Sequence, residues 1–198
     1  MNKLTKYTFS NICYLFLCVL RTKLFYGKAR LIRFPFDIRN KDSILIGKNF
    51  TTGRCCRIES YGCLENDNIN IIIGDNVQIN DFVHIASVNS VFIGNHVLIA
   101  SKVFITDINH GDYSSHSDFN INIPPINQPL SSKSVNIGDY VWIGESVCVL
   151  PGVTIGEHSI IGAMSCVTKS IPSYSIAVGN PAKVIKKYDH TTKSWMPI

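Results

Sequence analysis

The strongest constraint on the fold is a six-residue repeat in the second half of the chain. From Val135 to Thr168 an aliphatic residue occupies every sixth position: Ile137, Ile143, Val149, Ile155, Ile161 and Val167. A smaller residue lies two positions before each, so each pair would share one face of a short strand. Turn residues such as Gly138-Asp139 and Pro151-Gly152 separate the pairs and suit tight corners. A helix repeats every 3.6 residues, so this period instead indicates a parallel β-helix.

The breaks in the repeat indicate a coil with a triangular cross-section. The inward anchors group in threes, namely 46/52/58, 73/79/85, 93/99/105, 137/143/149 and 155/161/167. Every insertion falls after a third anchor, as three strands per coil would require, and the sequence thus predicts about five coils. All extra loops would leave along one edge of the prism, where we expect the chemistry because insertions collect on a working face.

Composition divides the chain into three segments. Residues 1–40 contain the apolar stretch ICYLFLCVL between basic residues and predict a helical, amphipathic segment. This segment would either pack on the domain or a neighbouring subunit, or lie on a membrane surface. Its apolar stretch is too short to span a bilayer, and no signal-peptide cleavage site follows it. Residues 41–172 would form the β-helix, with a polar loop at 107–134, and residues 173–198 a basic C-terminal segment.

Charge and cysteine content exclude several classes of protein. The net charge of +5 fits an anionic small ligand or a membrane surface, but it is too small for nucleic-acid binding, for which no motif is present. The seven cysteines have no metal-ligand spacing and no activating neighbour in the sequence. We interpret them as reduced thiols and expect no metal site and a cytoplasmic location, at or near the inner face of the membrane.

The motifs of the C-terminal half resemble those of a known family. They are WIG (Trp142–Gly144), LPGVTIG (Leu150–Gly156), IGAMSCVTKSIP (Ile161–Pro172) and VGNPAKVIK (Val178–Lys186). With the repeats from about residue 44 onward, they make the chain similar to the hexapeptide-repeat acyltransferases, within the branch of galactoside, maltose and polysaccharide O-acetyltransferases. The resemblance implies an all-β fold with a left-handed parallel β-helix. It also implies a homotrimer, with acetyl-CoA and a saccharide acceptor meeting between neighbouring prisms.

The resemblance further implies that His110, which stands at the start of the long loop, is the catalytic base. A sugar hydroxyl is a poor nucleophile near neutral pH, and an imidazole can take its proton. His116 in the same loop is the rival candidate. Asp107 would either orient the imidazole or cap the turn. The other histidines lie at an outward strand position, at corners or in the tail: His84, His96, His158 and His190.

Contacts to the acyl donor are implied on the later coils. Trp142 and Gly144 would flank the site, and the backbone N–H of Glu145 would stabilise the oxyanion. The remaining implied contacts, to pantetheine and to the CoA phosphates, are Ala163, Thr168, Lys169, Lys183 and Lys186. The candidate acceptor contacts are Asn80 and Asn109.

Three functions are compatible with these residues. We expect acetyl-CoA-dependent O-acetylation of a sugar hydroxyl, by direct transfer without an acyl-enzyme, because no cysteine or serine is activated beside His110. The basic, apolar N-terminus favours a bacterial surface polysaccharide, O-antigen or capsule, or its precursor. The alternatives are N-acetylation of an amino sugar or acetylation of a small xenobiotic, and a non-enzymatic β-helix subunit.

Overall fold

Short strands from successive coils stack in parallel and form the left-handed β-helix that the repeat and the family resemblance predict. The computed structural model describes residues 8–62, 69–114 and 119–198. Helix α1 spans Phe9–Phe25, and short 3-10 helices span Lys41–Ser43 and Pro125–Asn127. The strands in chain order are β1 (Phe36–Arg39), β2 (Ile44–Ile46), β3 (Cys56–Ser60), β4 (Ile71–Ile73), β5 (Gln78–Ile79), β6 (His84–Ser87), β7 (Val91–Ile93), β8 (Leu98–Ile99), β9 (Phe104–Thr106), β10 (Ile108–His110), β11 (Leu130–Ser132), β12 (Val135–Ile137), β13 (Trp142–Ile143), β14 (Cys148–Val149), β15 (Thr154–Ile155), β16 (Ile160–Ile161), β17 (Cys166–Val167), β18 (Ser175–Val178), β19 (Lys183–Asp189) and β20 (Ser194–Pro197).

The described strands form four sheets, of which three are the faces of a triangular prism and the fourth is the hairpin of β10 and β11. Face I contains β2, β4, β7, β12 and β15, and face III contains β1, β3, β6, β9, β14 and β17. Face II contains β5, β8, β13, β16 and β18, and the antiparallel strands β19 and β20 extend it. Within each coil the chain passes from face I to II to III, so three edges run along the prism, named I/II, II/III and III/I.

The anchors of the repeat form the core of the prism. In register, Ile73 pairs with Ile93, Ile93 with Ile137, and Ile137 with Ile155, so like side chains stack from coil to coil. These side chains are buried because alternate residues of a strand face opposite sides of the sheet. Burying each such aliphatic side chain contributes about 1.5 to 3 kcal/mol. The core is therefore one continuous aliphatic column along the prism axis.

The insertions leave the prism along edge III/I, as the anchor triplets predict. They connect β3 with β4, β6 with β7, and β9 with β12. The longest of them, at 107–134, contains the antiparallel hairpin of β10 and β11. This edge therefore carries the irregular backbone that a candidate site can use.

Helix α1 packs against the first turns of the chain through one polar face. Thr22 is buried, and its hydroxyl accepts a 2.8 Å hydrogen bond from the Ile32 N–H. The Tyr14 hydroxyl donates to the Phe34 carbonyl at 2.8 Å, and the Arg21 guanidinium lies 3.7 Å from the centre of the Phe34 ring. These contacts fix the helix and leave its opposite, apolar face exposed.

An aromatic column on edge I/II accounts for the corner histidines. The rings of His96, Tyr140, His158 and Tyr174 stack with successive centre-to-centre distances of 4.8, 4.7 and 5.0 Å. Each of the four has a positive φ, which is the corner position of its coil. This edge lies away from the 107–134 loop, so His96 and His158 belong to the frame of the prism.

Candidate active site

A cleft of about 470 Å³ lies on face III beside the 107–134 loop. This volume falls within the usual range for small-molecule sites. The lining residues come from the outer surface of β3, β6 and β9, from the hairpin and from the corner after β14: Arg57, Glu59, Tyr61, His84, Ala86, Phe104, Thr106, Ile108, Asn109, His110, Ile126, Leu130, Leu150 and Pro151. The cleft therefore joins a regular sheet surface to the longest insertion.

The hairpin holds His110 and Asn109 at the cleft. His110 pairs with Leu130 and Asn109 with Ser131. The Tyr113 hydroxyl donates to the His110 carbonyl at 2.6 Å, and the Gly111 N–H donates to the Pro129 carbonyl at 3.0 Å. Gly111 has a φ of +103°, and a Cβ atom there would lie 2.9 Å from the Phe119 ring, so this position requires glycine. The backbone of His110 is thus fixed, while its side chain stays exposed.

Asp107 organises the turn below the hairpin. Its buried carboxylate accepts hydrogen bonds from the Ser87 hydroxyl and the Val88 N–H, both at 2.9 Å. It also accepts from the N–H groups of Asn89 and Ser90, at 2.9 and 2.6 Å. These bonds favour the turn-capping role over orientation of the His110 ring, because both carboxylate oxygens already serve the preceding coil.

A charge cluster around the buried Glu59 on face III is the feature that sequence reasoning missed. The Glu59 side chain is only 3% exposed and meets the Arg39 guanidinium at 3.0 Å and the Arg57 guanidinium at 3.2 Å. The His84 Nε2 atom lies 2.7 Å from Glu59 Oε1, the same carboxylate oxygen that Arg57 meets. Burial raises the pKa of the nearby Tyr61 hydroxyl, and the negative charge of Glu59 raises it further. The sequence contains a signal for this contact. Arg57 and His84 each stand directly before the third anchor of their coil, so they are register partners on face III.

The residues expected to serve the oxyanion and the pantetheine lie on edge II/III instead. The Gly144 N–H donates to the Ile161 carbonyl of the next coil at 2.8 Å, and a Cβ atom on Gly144 would lie 2.6 Å from the Ala163 nitrogen. Glu145 is the exposed corner residue beside them. Asn80 occupies the same edge, where its N–H donates to the Ile99 carbonyl at 2.9 Å. Asn80 is therefore near the donor candidates and apart from Asn109.

The other donor candidates are distributed along the upper coils. Trp142 lies on face II with 49% exposure, paired with Leu98. Thr168 and Lys169 are exposed after β17, on edge III/I. Lys183 and Lys186 are exposed on β19, which extends face II.

Face III separates the two groups of candidates within one chain. Phe104 and Cys148 are register partners on face III. Glu145 lies before Cys148 in the chain, on edge II/III, whereas His110 lies after Phe104, on edge III/I. At about 3.3 Å per residue, edges II/III and III/I are about 15 to 20 Å apart. The fold therefore does not bring His110 and Glu145 together in a single chain.

Two of the described thiols, Cys56 and Cys148, are poor nucleophiles because their surroundings raise their pKa values. Burial raises the pKa of Cys56 to about 11. Burial also raises the pKa of Cys148, and the neighbouring Cys166 raises it further. Since the thiolate is the reactive form, these cysteines are unsuited to acyl transfer. Of the remaining candidates, His116 lies outside the described residues.

Comparison with known proteins gives consistent matches. The family model described as "Bacterial transferase hexapeptide (six repeats)" matches residues 134–169. WbbJ of Escherichia coli K12, a predicted lipopolysaccharide biosynthesis O-acetyl transferase, is 52% identical over 89% of this chain and 88% of its own. The galactoside O-acetyltransferase of Escherichia coli K12 is 33% identical over 89% of this chain and 84% of its own.

A solved structure shares the fold. A mutant of AntD, an N-acyltransferase from Bacillus cereus in complex with dTDP-4-amino-4,6-dideoxyglucose and coenzyme A, gives a TM-score of 0.68. It is 23% identical, over 87% of this chain and 91% of AntD, so this likeness speaks for the fold alone. The two E. coli relatives span most of the chain and are both O-acetyltransferases by name, which argues against a non-enzymatic subunit. The chain belongs to the hexapeptide-repeat acyltransferases.

Proposed function

We propose that the protein transfers the acetyl group of acetyl-CoA to a sugar hydroxyl of a bacterial surface polysaccharide, O-antigen or capsule, or of its lipid-linked precursor. The observation that carries this proposal is His110, exposed on a fixed hairpin at a cleft large enough for a sugar unit. The names of WbbJ and of the galactoside O-acetyltransferase support transfer to a saccharide oxygen.

His110 is the proposed general base. Its imidazole takes the proton of the acceptor hydroxyl while the oxygen bonds to the thioester carbonyl carbon. The carbon–sulfur bond then breaks, and the imidazolium returns the proton to the sulfur, which gives an acetyl ester and free CoA thiol. A positioned base of this kind contributes about 10²- to 10⁴-fold to the rate. Asn109, beside it on β10, is the proposed acceptor contact from the same chain.

Edge II/III is the proposed donor site. Acetyl-CoA, when bound, supplies the acetyl group as an activated thioester. Among the described residues, the backbone bonds between coils at this corner use the N–H groups of Gly144 and Ser146. The Glu145 N–H thus remains a donor for the carbonyl oxygen on which negative charge develops. Trp142 and Gly144 are the proposed flanking residues, and Ala163 the proposed pantetheine contact on this edge. Further along, Thr168 and Lys169 on edge III/I and Lys183 and Lys186 on β19 are the proposed remaining contacts to pantetheine and the CoA phosphates, with Asn80 reaching the acceptor.

A homotrimer is the proposed working form. Leu98, Trp142 and Ile160 are register partners that form an apolar column on face II, in which Leu98 is 39% and Trp142 49% exposed. Exposed apolar patches mark interfaces, and three copies about a threefold axis would close a ring. Packing an edge II/III against the neighbour's edge III/I would unite the two halves of the site.

We expect the protein to form an acetyl ester on saccharide acceptors. The measurement is incubation with acetyl-CoA and a panel of polysaccharide repeat units, each matched by an amino-sugar counterpart, followed by mass spectrometry of the acceptor. Mild base removes an ester and leaves an amide. A base-stable product restricted to the amino sugars would establish N-acetylation instead. Failure to acetylate any member of the panel would reject the proposed function.

The N-terminal segment is the proposed membrane contact. On α1 the exposed face carries Phe16, Leu20 and Leu24, with exposures of 67%, 50% and 69%. Basic residues near the C-terminal end of the helix would meet anionic lipid head groups: Lys23, Lys28 and Arg30. Within the described ranges, no helix has the length and apolarity needed to cross a bilayer. We propose that this helix lies flat on the inner face of the cytoplasmic membrane.

The triple variant Phe16→Gln/Leu20→Gln/Leu24→Gln is expected to lose more than a hundredfold in binding to anionic phospholipid vesicles. Each such side chain contributes about 1.5 to 3 kcal/mol when it leaves water, and about 1.4 kcal/mol is tenfold in affinity. The measurement is vesicle co-sedimentation. Leu45→Gln, an exposed apolar residue on face I, is the control. Unchanged binding, or loss of the oligomer without loss of binding, would assign the helix to subunit packing. Deletion of residues 1–30 is a poorer test because it removes the buried Thr22 and Ala29.

A further inference from the structure

We propose that the charge cluster on face III selects a neutral sugar as the acetyl acceptor, and that Glu59 sets this selectivity. In this arrangement Arg57 binds two neighbouring hydroxyl groups of the acceptor, and acceptor sugars that carry a carboxylate are excluded. The inference rests on the proposed function, because the cleft takes an acceptor sugar only if the protein acetylates sugars. It adds to that function the charge class of the substrate.

The first argument for a neutral acceptor is the balance of charges in the cleft. Among the described residues, the charged side chains that line it are one arginine and one glutamate, Arg57 and Glu59. Arg39, which also contacts Glu59, is paired with Asp37 at 2.8 Å. Two arginines are thus offset by two carboxylates. An incoming anion would lose its hydration without meeting surplus positive charge, which costs free energy, whereas a neutral sugar has no such cost.

The second argument, for binding of two hydroxyl groups, is the position of the Arg57 guanidinium. Within the described part of the chain, its contacts with Glu59 and His84 all run through Nη2, at 3.2 Å to the carboxylate and 3.0 Å to the ring Nε2. The side chain is 41% exposed, so Nε and Nη1 remain as donors for a ligand. A planar guanidinium that is held in place matches a pair of neighbouring oxygens, as in a vicinal diol.

His84 completes the wall as a positioning residue. Its Nε2 lies 2.7 Å from Glu59 and its Nδ1 lies 3.3 Å from Arg57 Nη2. Arg57 Nη2 also lies 3.0 Å from Nε2, so both ring nitrogens are within hydrogen-bond distance of partners in the cluster. Neither nitrogen is then available as a second base. The ring packs on Phe104 at 5.0 Å, which with Leu130 and Leu150 offers an apolar surface to the C–H face of a sugar.

The test compares matched acceptors. Methyl hexosides in several configurations are each paired with the uronic acid that differs only in carrying a carboxylate in place of the hydroxymethyl group. We expect the wild-type protein to favour the neutral member by at least about tenfold in kcat/KM, the equivalent of about 1.4 kcal/mol. Glu59→Gln removes one negative charge, so we expect the acidic member to gain about tenfold relative to the neutral one. A loss of packing alone would lower both values equally.

Two further variants serve as controls for the Glu59→Gln result. Glu157→Gln removes the same charge from an exposed corner on edge I/II and should leave the ratio unchanged. Arg57→Lys keeps the charge but not the paired donors, and should raise KM for the neutral acceptor with little change in kcat. If Glu59→Gln does not fold, the wild-type ratio and Arg57→Lys still decide the matter.

The outcomes separate this inference from the proposed function. A wild-type preference for the uronic acids, or an equal loss on both acceptors in a folded Glu59→Gln protein, would overturn the inference and leave sugar acetylation standing. If neither member of any pair is acetylated, the proposed function fails, and the inference fails with it.

Discussion

Replacement of His110 by Ala is expected to lower kcat by about 10²- to 10⁴-fold, the usual contribution of a positioned general base. Affinity for acetyl-CoA should hardly change, because the donor candidates Gly144 and Ala163 lie on the other edge of the prism. Steady-state kinetics measure the first quantity and calorimetric titration with CoA the second. The fold should persist because the His110 side chain is exposed while its backbone keeps the hairpin bonds.

Two other histidines make this experiment specific. His96→Asn changes an exposed histidine at a corner with a φ of 58°, and asparagine already occupies the equivalent corner at Asn76 with a φ of 59°. This control should keep wild-type turnover. His116→Ala tests the rival in the same loop. If His116→Ala shows the loss and His110→Ala does not, the base has been assigned to the wrong histidine.

The fold could be predicted because its rule is local and repeated. Each six-residue unit places one anchor inward, so Ile137, Ile143 and Val149 define three faces before any contact is known. The handedness could not be derived in this way, because inward and outward positions alternate equally in either hand. The family resemblance supplied it.

The site could be predicted only in part, because its residues are distant in sequence. His110 is marked by its place at the start of an insertion, but the partners of Asp107 are four residues of an earlier turn, from Ser87 to Ser90. Likewise Glu59 and His84 are in contact but belong to successive coils. Such contacts can be predicted only when the anchor triplets are stacked in register. The repeat allows this stacking, but the spacing of the motifs alone does not indicate it.

Two variants can show whether the site is shared between chains. His110→Ala removes the base on edge III/I, and Glu145→Pro removes the proposed oxyanion donor on edge II/III, which costs about 10²- to 10³-fold. Proline should be tolerated there because Ser146 follows with a φ of 56°, a turn that accepts proline before its positive-φ residue. The corner at Pro151-Gly152 already has this arrangement, with a φ of 82° at the glycine. Each variant alone should therefore be folded and nearly inactive.

Mixed trimers of the two variants are expected to regain activity. If a site takes His110 from one chain and the Glu145 N–H from its neighbour, random assembly from equal amounts leaves about a quarter of the sites intact. If each site lies within one chain, every site keeps a defect and mixing restores nothing. The measurement is turnover after joint refolding, with sedimentation confirming trimers and with separately refolded variants mixed afterwards as the control. A fully active monomer would contradict both the shared site and the role of the Leu98–Trp142 column as its interface, whereas a recovery of about a quarter requires two chains at each site.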